Sequence, residues 1–260
     1  KLIGGRVEKI YQPESDEIVL SIRAGGQNHR LVMSASPKSP RIHLSRSVKE
    51  NPSSPPMFCM LLRKYRSGGR ISKIEFHDYE RIVTIHVEST DELGDKSTLR
   101  LIIEIMGRHS NIILVNPEGK IIDSIKHVDE ETSSKREVMP ARPYQLPPSQ
   151  NKTSPEALDL SLLFDIKSKE SKESVENFLL NNIKGFSPAV CKEIALMSGT
   201  ESKTPVSELS DEMLDSVKKS LAYFLDLVKA GRFSPCISFE DSSRKKPLDF
   251  HCITLSQFKY

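Results

Sequence analysis

The chain has 260 residues, with 38 Lys and Arg against 35 Asp and Glu and a formal net charge of +3. Hydrophobic residues make up 37% of it, enough for a core, and no run approaches the roughly 18 apolar residues of a membrane span, so no membrane insertion is expected. The length fits one large domain, or one domain with a smaller companion.

No signal peptide is visible, and the first residue is Lys1 rather than Met, which fits a fragment or processed form. The four cysteines (Cys59, Cys191, Cys236 and Cys252) are dispersed and form no Cys-x-x-Cys pair, so buried thiols in a reducing compartment are expected. The seven His do not cluster either, and no metal or cofactor is expected. Net charge hides an asymmetry. Residues 1–70 hold thirteen Lys/Arg and five Asp/Glu, a balance of 13 − 5 = +8; the rest hold 25 and 30, a balance of −5. A basic first quarter fits a polyanion partner, and it equally fits ordinary surface charge.

The chain opens with a repeat. GGRVEKIYQPESDEIV (Gly4 to Val19) returns as GGRISKIEFHDYERIV (Gly68 to Val83), ungapped at an offset of 64. From His29 to Val32, matched to Leu99 to Ile102, and from Arg41 to Leu44, matched to Asn111 to Leu114, the offset is 70. The extra six residues fall around Ser89 to Ser97, a polar stretch that reads as a longer hairpin loop. Each unit reads as short β-strands, with alternation and β-branched residues in RVEKIYQ, EIVLSIRA, HRLVMSA and RIHLS, and again in RISKIEFH, RIVTIHVES, LRLIIEIM and NIILVN. Asn116 to Val128 adds a Pro-Glu-Gly turn and one more strand. Between the units, Ser54 can cap and Pro55 can start a helix whose apolar face carries Met57, Phe58, Met60, Leu61, Leu62 and Tyr65. Gly68 or Gly69 ends it, and Arg63, Lys64 and Arg66 complement its C-terminus. By the same logic a helix enters the first unit and ends at Gly4-Gly5.

Glu130 to Pro155, rich in Pro and Ser, reads as an extended linker that hugs or leaves the β domain. Helical periodicity follows over Leu158–Phe164, Ser171–Ile183, Pro188–Met197 and Ser207–Ala230. Ser234 to Leu255 reads as a β-hairpin returning to the sheets. The expected fold class is α+β. A duplicated β-rich domain with an inserted helix spans 1–155, a small helical domain spans 156–232, and the returning hairpin spans 233–260.

A residue needed by the β scaffold belongs in both copies; a residue with a separate task belongs in one. Two places differ. Glu80-Arg81 stands opposite Asp16-Glu17 in the ungapped match. An Arg oriented by a neighbouring carboxylate can bind phosphate or a base edge, and the same pair also fits a surface turn with a weak ion pair. EIMGRHSN (Glu104, Ile105, Met106, Gly107, Arg108, His109, Ser110, Asn111) stands opposite SASPKSPR (Ser34 to Arg41). Gly107 permits a tight bend. The set fits a loop that touches single-stranded nucleic acid, or a turn whose polar groups satisfy one another. His43 and His127 read as surface or satisfied histidines. Gly185-Phe186-Ser187-Pro188 closes one helix and caps the next, as in a helix-hairpin-helix module or a plain helical packing unit. No Gly-x-Ser-x-Gly, phosphate-loop or His-Glu-x-x-His signature occurs, and no enzymatic activity is expected.

NPSSPPMFCMLLRKY, DELGD, EIMGRHSNIILV, IIDSIKHV and YQLPPSQNKTSP, in this order and spacing, resemble the N-terminal part of the NFACT family over the whole chain. That resemblance implies a first domain folded like the N-terminal domain of formamidopyrimidine-DNA glycosylase, without its Pro-Glu nucleophile, and then a helix-hairpin-helix domain. It implies a cytoplasmic, ribosome-associated quality-control factor. Its partners are tRNA (alanyl-tRNA in bacteria) and the large (50S) ribosomal subunit carrying stalled peptidyl-tRNA. The stalled chain receives a template-free C-terminal tail. An Asp-Arg pair of the family matches Glu80-Arg81, one methylene longer at the acid, and its Glu-Ile-Met segment matches Glu104-Ile105-Met106. An older family label implies a rival role as a surface adhesin for fibronectin or fibrinogen; the glycosylase likeness alone implies DNA processing.

Overall fold

In the computed structural model the two Gly-Gly-Arg segments pair with each other. The structure describes residues 1–66, 68–90, 96–133, 136–148, 150–167 and 171–258. The first unit, Lys1–Ser149, holds β1 (Arg6–Glu14), β2 (Glu17–Ala24), β3 (Gln27–Ser34), β4 (Arg41–Ser45), α1 (Met57–Arg66), β5 (Arg70–Phe76), β6 (Ile82–Thr90), β7 (Lys96–Glu104), β8 (Asn111–Val115) and β9 (Ile121–Ser124). These strands make one nine-stranded sheet in the order β4-β3-β2-β1-β5-β6-β7-β8-β9. Two antiparallel meanders meet at β1 and β5, where Arg6 and Arg70 are opposite partners.

The seam has local twofold symmetry. Gly4 N–H donates to the Ile71 carbonyl at 2.7 Å, and Gly68 N–H donates to the Val7 carbonyl at 2.7 Å. Val7 N–H meets the Gly69 carbonyl and Ile71 N–H meets the Gly5 carbonyl, each at 2.8 Å. Gly4 and Gly68 sit at φ of +81° and +83°, where a side chain is penalised. The repeat is therefore written twice because each copy supplies half of one junction. Each also carries an irregularity just beyond it, between Val7 and Lys9 and between Ile71 and Lys73.

Strand register corrects the ungapped match beyond that point. Ile22 pairs with Val7, and Val87 pairs with Ile71, so β2 and β6 are related by 65 residues, not 64. The faces require this offset. Ile18, Leu20 and Ile22 enter the main core, as do Val83, Ile85 and Val87. An offset of 64 would place Ile18 against Ile82, which faces the opposite side of the sheet. The extra residue lies in the β5–β6 turn, where Asp78 and Tyr79 take φ of +32° and +57°. Glu80-Arg81 consequently stands opposite Ser15-Asp16. The 70-residue offset holds for the next strands: Ser34 pairs with Arg41 as Glu104 pairs with Asn111. The longer hairpin loop read at Ser89 to Ser97 falls largely outside the described residues.

The main core joins both meanders and α1 through Leu20, Ile22, Met33, Ile85, Leu101 and Ile112 among others, with Phe58, Cys59 and Leu62 from the helix. Arg63 does not complement its own helix end: its Nε donates to the Ile10 carbonyl of β1 at 2.9 Å. The start of the expected linker hugs the sheet. Val128 and Val138 bridge each other, Lys120 bridges Pro143, and Val138 and Tyr144 pack over Ile82, Ile102 and Ile113 on the second face.

The second unit, Gln150–Tyr260, holds α2 (Leu160–Lys167), α3 (Val175–Asn182), α4 (Pro188–Met197), α5 (Asp211–Lys229), β10 (Cys236–Phe239) and β11 (Pro247–His251). Ser174, Ser187 and Ser210 cap α3, α4 and α5 by accepting from the third residue on. Phe164, Phe178, Leu179, Ile194, Leu221 and Phe224 form its core. Among the described residues β10 and β11 form a two-stranded sheet of their own, separate from the nine-stranded one, which corrects the expectation of a hairpin returned to the sheets; the segment after them drops Ile253 and Leu255 into the helical core. The buried Glu193 carboxylate fastens that segment, accepting from Ser256 N (2.7 Å), Ser256 Oγ (2.5 Å) and Gln257 N (2.9 Å).

Candidate nucleic-acid interface

The two segments singled out by the repeat lie side by side at one end of β6 and β7. The Ile105 N–H donates to the Arg81 carbonyl at 2.8 Å, one step beyond the last ladder pair, Ile82 with Glu104. Arg81 is exposed and Glu80 half-buried, with the Glu80 N–H turned back onto the His77 carbonyl at 2.6 Å. His77 Nε2 in turn shares a hydrogen bond with Thr84 Oγ1 at 2.9 Å, which pins the unusual turn to the strand after it.

The loop after β7 divides its residues between two tasks. Glu104 is 0% exposed. Its carboxylate accepts from Arg136 Nη1 at 2.8 Å, Arg136 Nη2 at 2.5 Å and the Tyr144 hydroxyl at 2.8 Å. Burial works against the Arg136 charge, but the Glu104 hydrogen bonds and charge outweigh it and hold its pKa above the ordinary range. Burial, then the Glu104 charge, keeps the Tyr144 hydroxyl protonated far above its usual pKa. Glu104 thus presents no free carboxylate to a ligand. It fixes where the loop begins.

Asn111 and Ser110, both buried, fix where the loop ends. Asn111 Nδ2 donates to the Lys126 carbonyl (2.7 Å), and its Oδ1 accepts from Lys126 N (3.1 Å) and Ile112 N (2.9 Å). Ser110 Oγ accepts from Met106 N at 2.8 Å, closing a short 3-10 turn over Gly107–His109, with Gly107 at φ +55°. Between these anchors Ile105, Met106 and Gly107 are half-buried, while Arg108 and His109 are exposed, the Arg108 Nε donating to His109 Nε2 at 3.0 Å. The groups able to meet a ligand are therefore Arg81, Arg108, His109 and the edges of Ile105 and Met106. An apolar contact flanked by cations suits an unstacked base with its phosphates.

Sequence reasoning missed Arg136 and Tyr144, which lie in a stretch read as linker. The signal was present in Glu104, a carboxylate two residues after the buried Ile102 on the same face of β7, where only a paired charge is tolerated. His127 Nε2 meets Asp123 Oδ1 at 2.6 Å, which makes it the satisfied histidine expected. Among the described residues no group of three or more His, Cys, Asp or Glu could hold a metal ion, and no helix is long and apolar enough to cross a membrane.

Comparison with known proteins gives this geometry a family. The chain matches the family described as NFACT N-terminal and middle domains across residues 1–260. It is 40% identical over 240 residues to the Rqc2 homolog RqcH of Bacillus subtilis, covering 92% of this chain and 40% of that protein. It is 31% identical over 185 residues to the archaeal Rqc2 homolog aRqcH of Methanocaldococcus jannaschii, covering 70% of this chain and 25% of that one. The chain therefore spans at most about two fifths of these relatives. Among solved structures, it resembles the N-terminal part of the fibronectin/fibrinogen-binding protein of Streptococcus suis, with a TM-score of 0.78 and 32% identity over 100% of this chain and 86% of that one. The fibrinogen-binding protein of Staphylococcus aureus aligns with a TM-score of 0.77 and 30% identity, over 100% and 87% of the two chains. With its full length matched by one family model and two fifths of its aligned residues shared with a curated relative, the chain belongs to the NFACT family.

Proposed function

We propose that this chain is the tRNA-holding part of a ribosome-associated quality-control factor, with no chemistry of its own. The observation that carries the reading is the Arg81–Ile105 backbone bond, which unites an exposed Arg with the Ile105–His109 loop on one edge. The relatives named as Rqc2 homologs support the general role. In the full-length factor, the edge receives tRNA, alanyl-tRNA by preference, beside a 50S subunit carrying stalled peptidyl-tRNA, in support of template-free tailing in the cytoplasm. The α3–α4 pair, turning at Gly185 with Ser187 capping α4, fits a helix-hairpin-helix contact to RNA backbone.

Filter binding with bulk bacterial tRNA tests the reading. Arg81→Ala is expected to weaken binding by about 1–3 kcal/mol, the usual worth of a charged hydrogen-bonding contact. Unchanged affinity would remove Arg81 from the interface. A second reading, adhesion to fibronectin or fibrinogen, is favoured by the names of the solved relatives alone. Recovery of the protein only from the cell surface, and never with 50S particles, would favour it over the first.

A further inference from the structure

In the repeat, Ser34 to Arg41 stands opposite the Glu104 to Asn111 loop. The structure joins the two. Lys126 follows β9, and its backbone is gripped by the Asn111 side chain at the base of the second loop. Its side chain crosses to the other meander, where Nζ donates to the Ala35 carbonyl at 2.5 Å, at the base of the first loop. The site is half-buried, and a lysine whose ammonium is held there by a main-chain carbonyl is a strut between two loop bases rather than a free surface charge.

The two loops share their place in the repeat and their opening bond. Both connect the third and fourth strands of a meander, Ser34 to Arg41 and Glu104 to Asn111. Both open with the same bond, Ala35 N–H to the Asp16 carbonyl and Ile105 N–H to the Arg81 carbonyl, each 2.8 Å. At an offset of 70, Lys38 takes the place of Arg108, and both are exposed. One basic residue per loop is thus retained while its neighbours change from Pro and Ser to Gly, His and Ser.

We propose that the β3–β4 loop is the second half of the RNA interface. Lys38 contacts phosphate beside Arg108, and Lys126 is the positioning residue that sets the distance between the two loops. This rests on the tRNA reading above and extends the interface into the other copy of the repeat. It also gives the basic first quarter of the chain a place in binding.

Filter binding of bulk bacterial tRNA across a salt series tests it. The slope of log affinity against log salt counts phosphate contacts, at about 0.7 to 0.9 each. Lys38→Ala is expected to lower the slope by about one contact, and Lys38→Glu to weaken binding further. Lys126→Met is expected to reproduce the Lys38→Ala loss, with no added effect when the two are combined, while Lys126→Arg retains binding. Additive losses would show that Lys126 does not act through Lys38. Lys38 stands on an exposed loop, so its variants remain decisive if Lys126→Met fails to fold. An unchanged slope in both Lys38 variants overturns the proposal. If Arg81→Ala still weakens binding in that case, the tRNA reading survives it; if the unsubstituted protein retains no tRNA, both fall.

Discussion

Replacing Arg136 with Met tests whether the buried ion pair sets the position of the candidate loop. In the native structure the Glu104 carboxylate is fully buried and accepts three hydrogen bonds, two of them from Arg136. The substitution leaves one, from Tyr144, and no counter-charge. Breaking a buried pair on one side costs about 3–5 kcal/mol. The retained hydroxyl keeps the expected cost near the lower end, about 3 kcal/mol, or roughly 150-fold in an opening equilibrium. Amide exchange is the assay of choice because it reads β7 and β8 without averaging over the second unit. Exchange in those strands is expected to accelerate by that factor wherever it tracks local opening. Adding Glu104→Gln removes the stranded charge and is expected to recover most of the protection. Acceleration of less than about tenfold, or no recovery in the double variant, would refute the account of Glu104 as a buried anion held by Arg136.

Three further outcomes follow from the geometry. Gly5→Ala would place a methyl 2.7 Å from Ile22 Cγ2 and 2.8 Å from the Leu2 carbonyl, so thermal melting should show a loss of about 1–3 kcal/mol. Glu75 is held at a pKa of about 2, first by the hydrogen bond from Lys73 and then by that from His86. A depressed folded pKa contributes stability above the ordinary carboxylate range that is lost as pH falls from about 4.5 to about 2. Solvent screening limits it to less than about 1 kcal/mol, and Glu75→Gln should flatten acid titrations of stability in that window. Burial pushes the Cys191 thiol up to about 12, whereas Cys252 is exposed. Alkylation followed by peptide mapping should therefore label Cys252 in the native protein and reach Cys191 only on unfolding.

The β strands, the inserted helix and the helical second unit were legible because each rests on local periodicity. What periodicity does not encode is which partner an element meets. The hairpin at Cys236 was visible as a hairpin, yet nothing in its alternation says which sheet it belongs to. The ungapped match through Ile18 and Ile82 had two identical letters to recommend it and was still one residue out, because Ile and Val are interchangeable to the eye and the sheet's two faces are not. The adjacency of Arg81 to Ile105 was readable, since one enters and the other leaves a pair of neighbouring antiparallel strands. The engagement of Glu104 by Arg136 and Tyr144 was not, since the partners are 32 and 40 residues away in a Pro-rich stretch without periodicity.

The glycine seam also bears on how the chain reaches this structure. Most pairings in the large sheet close a short turn, and each meander can grow one hairpin at a time. Arg6 and Arg70, by contrast, are separated by 70 − 6 = 64 residues. Loop-closure entropy rises with that separation, and the cost falls due before any non-local contact repays it. Assembly should then run from the two outer meanders inward, with the glycine junction zipping last. A lesion at Gly4 or Gly68 would slow the final step of folding while leaving the early hairpins their full speed.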